Sequence, residues 1–284
     1  MTADDARKEN PFEPGAGLPP PVLAGRQAEL FPVERALASL ARGRRPSQGI
    51  LFFGPRGNGK TSLLIRTEEL ASERGLRTAE LPASCFESRA DLTLHLQEAA
   101  GLTGARLAGA QVAGFGVSAD PGLRPVNLAL LLSEWIRSDD APLVLLLDEA
   151  QSIEPPAGRA FFHAVQQVTA RRLPLLPVAA GTPDAPRRIR ECGRFTERML
   201  ERVPVGRLQR EETLRALQEP AGDAGRPFVE GAARPLAETS QDYPFFIQLL
   251  GSAAWDAAAR RGESRIASDA VSYTHLTLPT KRIV

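Results

Sequence analysis

The chain has 284 residues, 43% of them hydrophobic, and a formal net charge of +1; that suits a large α/β domain with a smaller companion and excludes a protein held to nucleic acid by bulk charge. Its two cysteines, Cys85 and Cys192, have neither metal-ligand spacing nor the makings of a disulfide framework, so a reducing cytoplasm is the expected compartment. The start, Met1-Thr2-Ala3-Asp4-Asp5, is acidic and lacks the apolar region of a signal peptide, and no apolar run is long enough to span a membrane.

Residues up to about Pro21 are polar and proline-rich and are expected to be disordered. The segment Gly25-Arg26-Gln27-Ala28-Glu29-Leu30 then leads into a helix. Gln48-Gly49 opens onto Ile50-Leu51-Phe52-Phe53, a short bulky run of the kind that forms a buried parallel strand. Directly after it, Gly54-Pro55-Arg56-Gly57-Asn58-Gly59-Lys60-Thr61 fits the phosphate-binding pattern G-x-x-x-x-G-K-[ST], with Ser62 following. Lys60 is the one lysine between Lys8 and Lys281; every other permanent cation in that span is arginine. A compact ammonium on a flexible stem follows β- and γ-phosphates where a planar guanidinium would overfill the loop. Leu63, Leu64, Leu70 and Ala71 recur at helical spacing as far as Gly75, so the loop stands between a strand and a helix, as its chemistry requires. Thr61 is placed to offer a hydroxyl to Mg²⁺.

Gly101 to Pro125 is rich in Gly and Ala and reads as a flexible insertion or long loop. The next strong signal is Pro142-Leu143-Val144-Leu145-Leu146-Leu147-Asp148-Glu149-Ala150-Gln151, a buried strand ending in two acids. Asp148 is expected to hold Mg²⁺ through water, and Glu149 to take a proton from the water that attacks the γ-phosphate. A third strand lies in Leu173 to Thr182, starting after Pro174 or bulged at Pro177 because proline cannot donate to a ladder. Thr182 either positions the attacking water or γ-phosphate, or caps a helix beginning near Pro186 with Pro183 and Asp184. Val203-Pro204-Val205 reads as the last strand.

Gln209 to Arg261 reads as helices, Arg210-Glu211-Glu212 opening one, and Phe245 to Arg260 forming an amphipathic last one with Phe246, Leu249, Leu250 and Ala253 on its buried face. Arginine clusters at Arg42, Arg44 and Arg45, at Arg171 and Arg172, and at Arg187, Arg188 and Arg190 are expected to be solvated helix ends. Val271-Ser272-Tyr273-Thr274-His275-Leu276-Thr277-Leu278-Pro279-Thr280 matches a forward frame of a widely used transposase sequencing adapter. Residues 271–284 are therefore expected to be artefactual, with the natural chain cut short near Ala270.

On these residues the chain resembles the AAA+ superfamily of P-loop ATPases, in the branch of bacterial and archaeal ATPases related to replication initiators and STAND signalling proteins. The resemblance runs from about Leu23 to Ala259 and rests on Gly25–Leu30, the phosphate loop, Leu147–Gln151, Ala180-Gly181-Thr182-Pro183 and Asp242-Tyr243-Pro244-Phe245-Phe246-Ile247-Gln248. It implies an α/β nucleotide-binding domain over 22–205, a parallel sheet with flanking helices, followed by a small helical lid over 206–270. It implies that Gly25 and Arg26 lie near the adenine, with Pro244 packing over the base. It also implies an arginine finger acting on an adjoining subunit. Arg198 is the favoured residue, and a solvated or salt-bridged surface arginine is the alternative. Phe245, Phe246, Ile247 and Gln248 stand where initiator-type members place an arginine, and Asp242 where STAND-like members have glycine.

The function expected is ATP hydrolysis with Mg²⁺, coupled to conformational change in an oligomeric or DNA-associated assembly. The alternative is a weakly hydrolytic nucleotide switch that controls a missing C-terminal regulatory or interaction domain. ATP and possibly further copies of the chain are the expected partners, with DNA or a signalling partner reached through that missing region and no membrane.

Overall fold

The computed structural model describes residues 9–15, 17, 19–101, 127–138 and 140–267. All but the first residue of the Gly101 to Pro125 stretch, and the whole tail 271–284, lie outside the described residues. The described residues form two compact units, one built from those in 29–55 and 63–204, the other from those up to 28, Arg56–Ser62 and those from 205 to 267.

The larger unit carries a parallel five-stranded sheet of β1 (Gly49–Phe53), β2 (Arg77–Leu81), β3 (Leu143–Leu147), β4 (Leu175–Gly181) and β5 (Leu200–Pro204), in the order β2-β3-β4-β1-β5. The connections contain α1 (Gln27–Leu40, ahead of β1), α2 (Lys60–Ser72), α3 (Arg89–Ala99), α4 (Leu128–Ser138), α5 (Pro155–Ala170) and α6 (Ala185–Glu191). The three inner strands are almost wholly buried, so their side chains read as continuous apolar runs, as expected of a sheet covered on both faces. Leu51, Leu143, Leu145, Leu147, Leu175 and Ala179 pack in one cluster with α3 to α6. The alternate residues Ile50, Phe52, Val144, Leu146 and Val178 are equally buried, so the second face is covered too.

β2 carries no apolar run; its sequence Arg77-Thr78-Ala79-Glu80-Leu81 is mostly half-exposed, as an edge strand allows. Its register against β3, from Arg77↔Leu143 to Leu81↔Leu147, makes it a strand. The strand expected between Leu173 and Thr182 starts at Leu175, past the first proline, and keeps Pro177 inside a central position. The β1 ladder begins only at Ile50↔Val178, one residue beyond Pro177. Gly49 lies beside the proline ring, where a Cβ would stand 2.5 Å from the Pro177 oxygen and 2.6 Å from its Cγ. With Leu200 Cδ2 a further 2.7 Å contact, the backbone and side chains around Gly49 leave no room for a Cβ.

The second unit is helical, with α7 (Arg210–Asp223), α8 (Arg234–Ser240) and α9 (Pro244–Arg260) around Leu217, Leu236, Ile247, Leu250, Ala254 and Trp255. Two expectations need correction here. Phe12 is 3% exposed and packs in this core, and the Asn10 amide donates to Ser252 and Asp256, so part of the segment expected to be disordered is tied down. The buried residues of α9 are Ile247, Gln248, Leu250, Gly251, Ala254, Trp255, Ala257 and Ala258, so of the expected Phe246, Leu249, Leu250 and Ala253 only Leu250 is buried. The helix is apolar nearly all round, so spacing could not select the face, and the close approach of Phe12 to Gly251, where a Cβ would meet its ring at 2.6 Å, selects it.

Replacing Gly49 by alanine is expected to cost about 1–3 kcal/mol, as overpacking against fixed backbone does, read as a lower urea midpoint without a change in slope.

Candidate functional site

The glycine loop belongs with the helical unit. Gly57 and Gly59 both take positive φ, 77° and 79°, which lets the backbone coil tightly enough to cup an anion. Three successive carbonyls of the loop are engaged by donors outside it. The Tyr243 hydroxyl donates to the Arg56 oxygen, the Phe245 N–H donates to the Gly57 oxygen at 3.1 Å, and Arg26 Nη2 donates to the Asn58 oxygen at 2.9 Å. In planar trans peptides C=O and N–H point opposite ways, so the N–H groups of Gly57, Asn58 and Gly59 each point away from the donor that holds the carbonyl before it.

Arg26, 3% exposed, also donates to the Gly206 oxygen at 2.7 Å, and the Asn58 amide donates to the Val205 oxygen at 3.2 Å. Arg26 thus makes buried hydrogen bonds to backbone, beside Gly25, whose φ of 65° and contact with Glu212 admit no side chain. Lys60 is buried at 9% exposure as the first residue of α2, with Thr61 and Ser62 half-exposed in the same turn. Pro244 is the first residue of α9, which fits a fixed φ and a missing N–H. Gly57 is a position of close approach as well, since a Cβ there would lie 2.9 Å from the Tyr243 ring and 3.0 Å from Phe245 Cβ.

In the sheet unit, parallel register brings the carboxyl ends of β1, β4 and β3 to one edge, with Phe53↔Gly181 and Leu147↔Ala179 as their pairings there. The Gly54 N–H donates to the Gly181 oxygen at 3.2 Å, so the chain enters the loop from this edge. Asp148, half-buried, follows β3 and accepts from the Glu149 N–H at 2.7 Å. Glu149 is exposed and left-handed, φ 53° and ψ 42°, a conformation that costs a non-glycine residue about 1–2 kcal/mol.

Gln151, the last residue of the acidic motif, links the two strand tips. Its amide nitrogen donates to the Glu149 carboxylate, and its oxygen accepts from the Thr182 N–H at 2.9 Å. Gly181 makes room for it, since a Cβ there would sit 2.9 Å from the Gln151 oxygen. Thr182 also accepts the Ala185 N–H at its carbonyl, 2.9 Å, so its backbone does help to start α6. Arg198 is exposed at the amino end of β5, the opposite edge of the sheet, where its carbonyl accepts from Gln48. The arrangement brings Asp148, Glu149 and Thr182 together and leaves Arg198 apart.

The two thiols are free and buried. Burial pushes Cys85 up to about 12, helped by Asp91, and burial pushes Cys192 up to about 11. Among the described residues no group of three or more His, Cys, Asp or Glu side chains could hold a metal ion, and no helix is long and apolar enough to cross a membrane.

The fold is that of AAA+ P-loop ATPases, a five-stranded parallel sheet with flanking helices and a helical region. The chain is similar to the RuvB Holliday junction branch migration motor of Thermotoga maritima, with a TM-score of 0.63 and 17% identity over 91% of this chain and 71% of that one. It is similar also to Cdc6p of Pyrobaculum aerophilum, TM-score 0.60 and 16% identity over 94% and 73% of the two chains. A third likeness is to the ORC1 protein of Aeropyrum pernix solved in complex with DNA, TM-score 0.59 and 19% identity over 91% and 70%. No protein-family model and no curated protein matches the sequence.

Two outcomes follow. Arg26→Met leaves the Asn58 and Gly206 carbonyls without this donor and is expected to cost at least about 2 kcal/mol in denaturant unfolding, with faster proteolysis within the loop. Because the folded thiols ionise above the unfolded value of 9.0, the unfolded chain loses protons first as pH rises, so stability should fall above about pH 9. The fall should flatten in C85A/C192A.

Proposed function

We propose that the chain binds ATP and hydrolyses it to ADP and phosphate, converting nucleotide state into conformational change of a larger assembly. The single observation that carries this reading is the outward engagement of the Arg56, Gly57 and Asn58 carbonyls, which turns three consecutive N–H groups the other way, the arrangement a polyphosphate needs. Lys60 neutralises the β- and γ-phosphates. The domain over 22–205 supplies the loop and the acidic strand tip, and the lid over 206–270 supplies Tyr243, Pro244 and Phe245, with Gly25, Arg26 and Pro244 at the adenine end.

Thr61, through a hydroxyl, and Asp148, through a half-buried carboxylate, are the residues that would hold Mg²⁺, since both offer the oxygen donors this ion prefers. When bound, that ion spreads the charge developing on the transferred phosphoryl group. Glu149 takes a proton from water as its oxygen attacks the γ-phosphorus and the bond to the β-γ bridging oxygen breaks. Thr182, on the strand tip tied to Glu149 through Gln151, orients the γ-phosphate. Arg198, remote from the carboxyl edge of its own sheet, would serve only a neighbouring copy, which makes turnover depend on a homo-oligomer. The likeness in fold to RuvB and to ORC1 solved with DNA supports a DNA-associated assembly, and two cysteines without a disulfide framework fit a reducing cytoplasm.

A second reading, a weakly hydrolytic switch that controls a regulatory or interaction domain, is favoured by the Gln151 amide occupying the Glu149 carboxylate. Phosphate release against protein concentration separates the two. A motor turns over more per subunit as copies associate, whereas a switch binds ATP and stays slow throughout.

Glu149→Gln is expected to abolish phosphate release and leave ATP affinity within about twofold, measured by release assay and calorimetry; unchanged release removes Glu149 from the mechanism. Lys60→Ala should lose ATP binding by about a hundredfold or more, the order of a buried charge-assisted contact. Retained micromolar affinity would overturn the site.

A further inference from the structure

We infer that the edge of the sheet opposite the strand tips Asp148 and Thr182 is a nucleic-acid contact surface, formed by Arg42, Arg44, Arg45, Arg171 and Arg172 reading a phosphate backbone. The two arginine clusters are far apart in sequence and meet in the fold. β1 and β4 are neighbours in the sheet, and both clusters lie a few residues before the amino ends of these strands. Arg45 Nη1 donates to the Thr169 oxygen in the last turn of α5 at 3.3 Å, which fastens the Arg42–Arg45 loop beside Arg171 and Arg172. The loop itself is held by the Ser39 carbonyl, which accepts from the Arg44 N–H at 3.0 Å.

All five arginines are exposed, and among the described residues none is ion-paired. Arg171 reaches the Ser133 hydroxyl at 3.4 Å and Arg45 the Thr169 carbonyl, both neutral acceptors. No Asp or Glu occurs from residue 35 to 67 or from 155 to 183, so neither cluster has a carboxylate close to it in sequence. The third cluster is a contrast on the same unit. Arg187 pairs with Asp184 and Glu191, Arg188 with Glu154 and Glu191, and Arg190 with Glu197.

Arg172 supplies an independent sign. It occupies the left-handed position after α5, φ 62°, in a terminus closed by Leu173 N–H donating to the Val168 oxygen. Glycine or asparagine is the residue that fits this position without strain. Arg172 is exposed there with no ion pair among the described residues, and strain of this kind collects at binding sites. Guanidinium groups suit phosphate because their forked donors can bind two oxygens at once. Backbone contacts of this sort give affinity and position without base selectivity. A net charge of +1 is compatible with it, since these five arginines form a local cluster.

The test uses the full chain and a short fluorescein-labelled DNA duplex of mixed sequence, followed by anisotropy across a salt series. Wild-type chain should bind with affinity that falls steeply with salt. R42Q/R44Q/R171Q/R172Q should bind roughly tenfold or more weakly, with a log–log salt slope shallower by about 0.9 for each phosphate contact removed. ATP affinity should be unchanged, so failure here is distinguishable from failure of the ATPase reading. R172G should keep a thermal midpoint at or above wild type and still lose affinity. A charge-matched control, R187Q/R190Q/R215Q/R234Q, should bind as wild type does. The inference is overturned if wild type does not bind the duplex at low salt, if the control loses as much as the patch variant, or if phosphatidylserine vesicles are bound in place of the duplex.

Discussion

A backbone loop that turns its N–H groups toward an anion must turn its carbonyls away from it, and those carbonyls then need donors of their own. In this protein that requirement ties the phosphate loop to the helical unit. Tyr243 and Phe245 at the start of α9 take the Arg56 and Gly57 oxygens, and Arg26 takes that of Asn58. The loop's grouping with the helices rather than with the sheet it emerges from is a consequence of this bonding. It also assigns Arg26 a physical task, since a guanidinium has several donors in a rigid fork and can serve the Asn58 and Gly206 carbonyls together.

The acidic tip of β3 follows a different logic. Glu149 leaves the strand in a left-handed turn, which sends the chain into the short 3₁₀ turn Ala150–Ser152 and lets Gln151 double back. Gln151 can do so because an amide carries a donor and an acceptor at one end, so a single side chain meets a carboxylate on one strand tip and an N–H on the next. A glutamate at 151 would have no donor for Glu149, and an alanine would leave the Thr182 N–H unmet. Gly181 completes the arrangement by leaving the space Gln151 fills. The strand tips form one bonded unit before any ligand enters.

Arginine dominates the cations of this chain, and the fold sorts arginines that look alike in sequence. Those of α6 are consumed in ion pairs with Asp184, Glu154, Glu191 and Glu197. Arg77 crosses the edge of the sheet to the Trp135 and Ala141 carbonyls. Arg226 is buried over the Trp255 ring, 5.1 Å from its centre, where weak hydration of the guanidinium makes such a place tolerable. Those beside Gly43 and at the end of α5 face solvent with no carboxylate nearby in sequence.

The sequence alone determined the features that depend on local chemistry. A glycine loop with its lysine between a strand and a helix, and an apolar run ending in Asp148-Glu149, need particular residues at particular spacings, and those are visible without coordinates. The Leu175–Gly181 strand was legible in spite of Pro177, but the accommodation of that proline by Gly49 was not, because the two residues meet only through the β1–β4 register. β2 was missed because an edge strand buries one face and needs no apolar run. The face of α9 was misjudged because a helix apolar on nearly all sides has no preferred direction until Phe12 and the other helices pack against it. The donors to the loop carbonyls, the link made by Gln151 and the meeting of two arginine clusters are likewise products of tertiary structure. Hydrogen bonds and charge juxtapositions between residues far apart in the chain are set by how the elements are stacked and registered, and no spacing along the sequence encodes them.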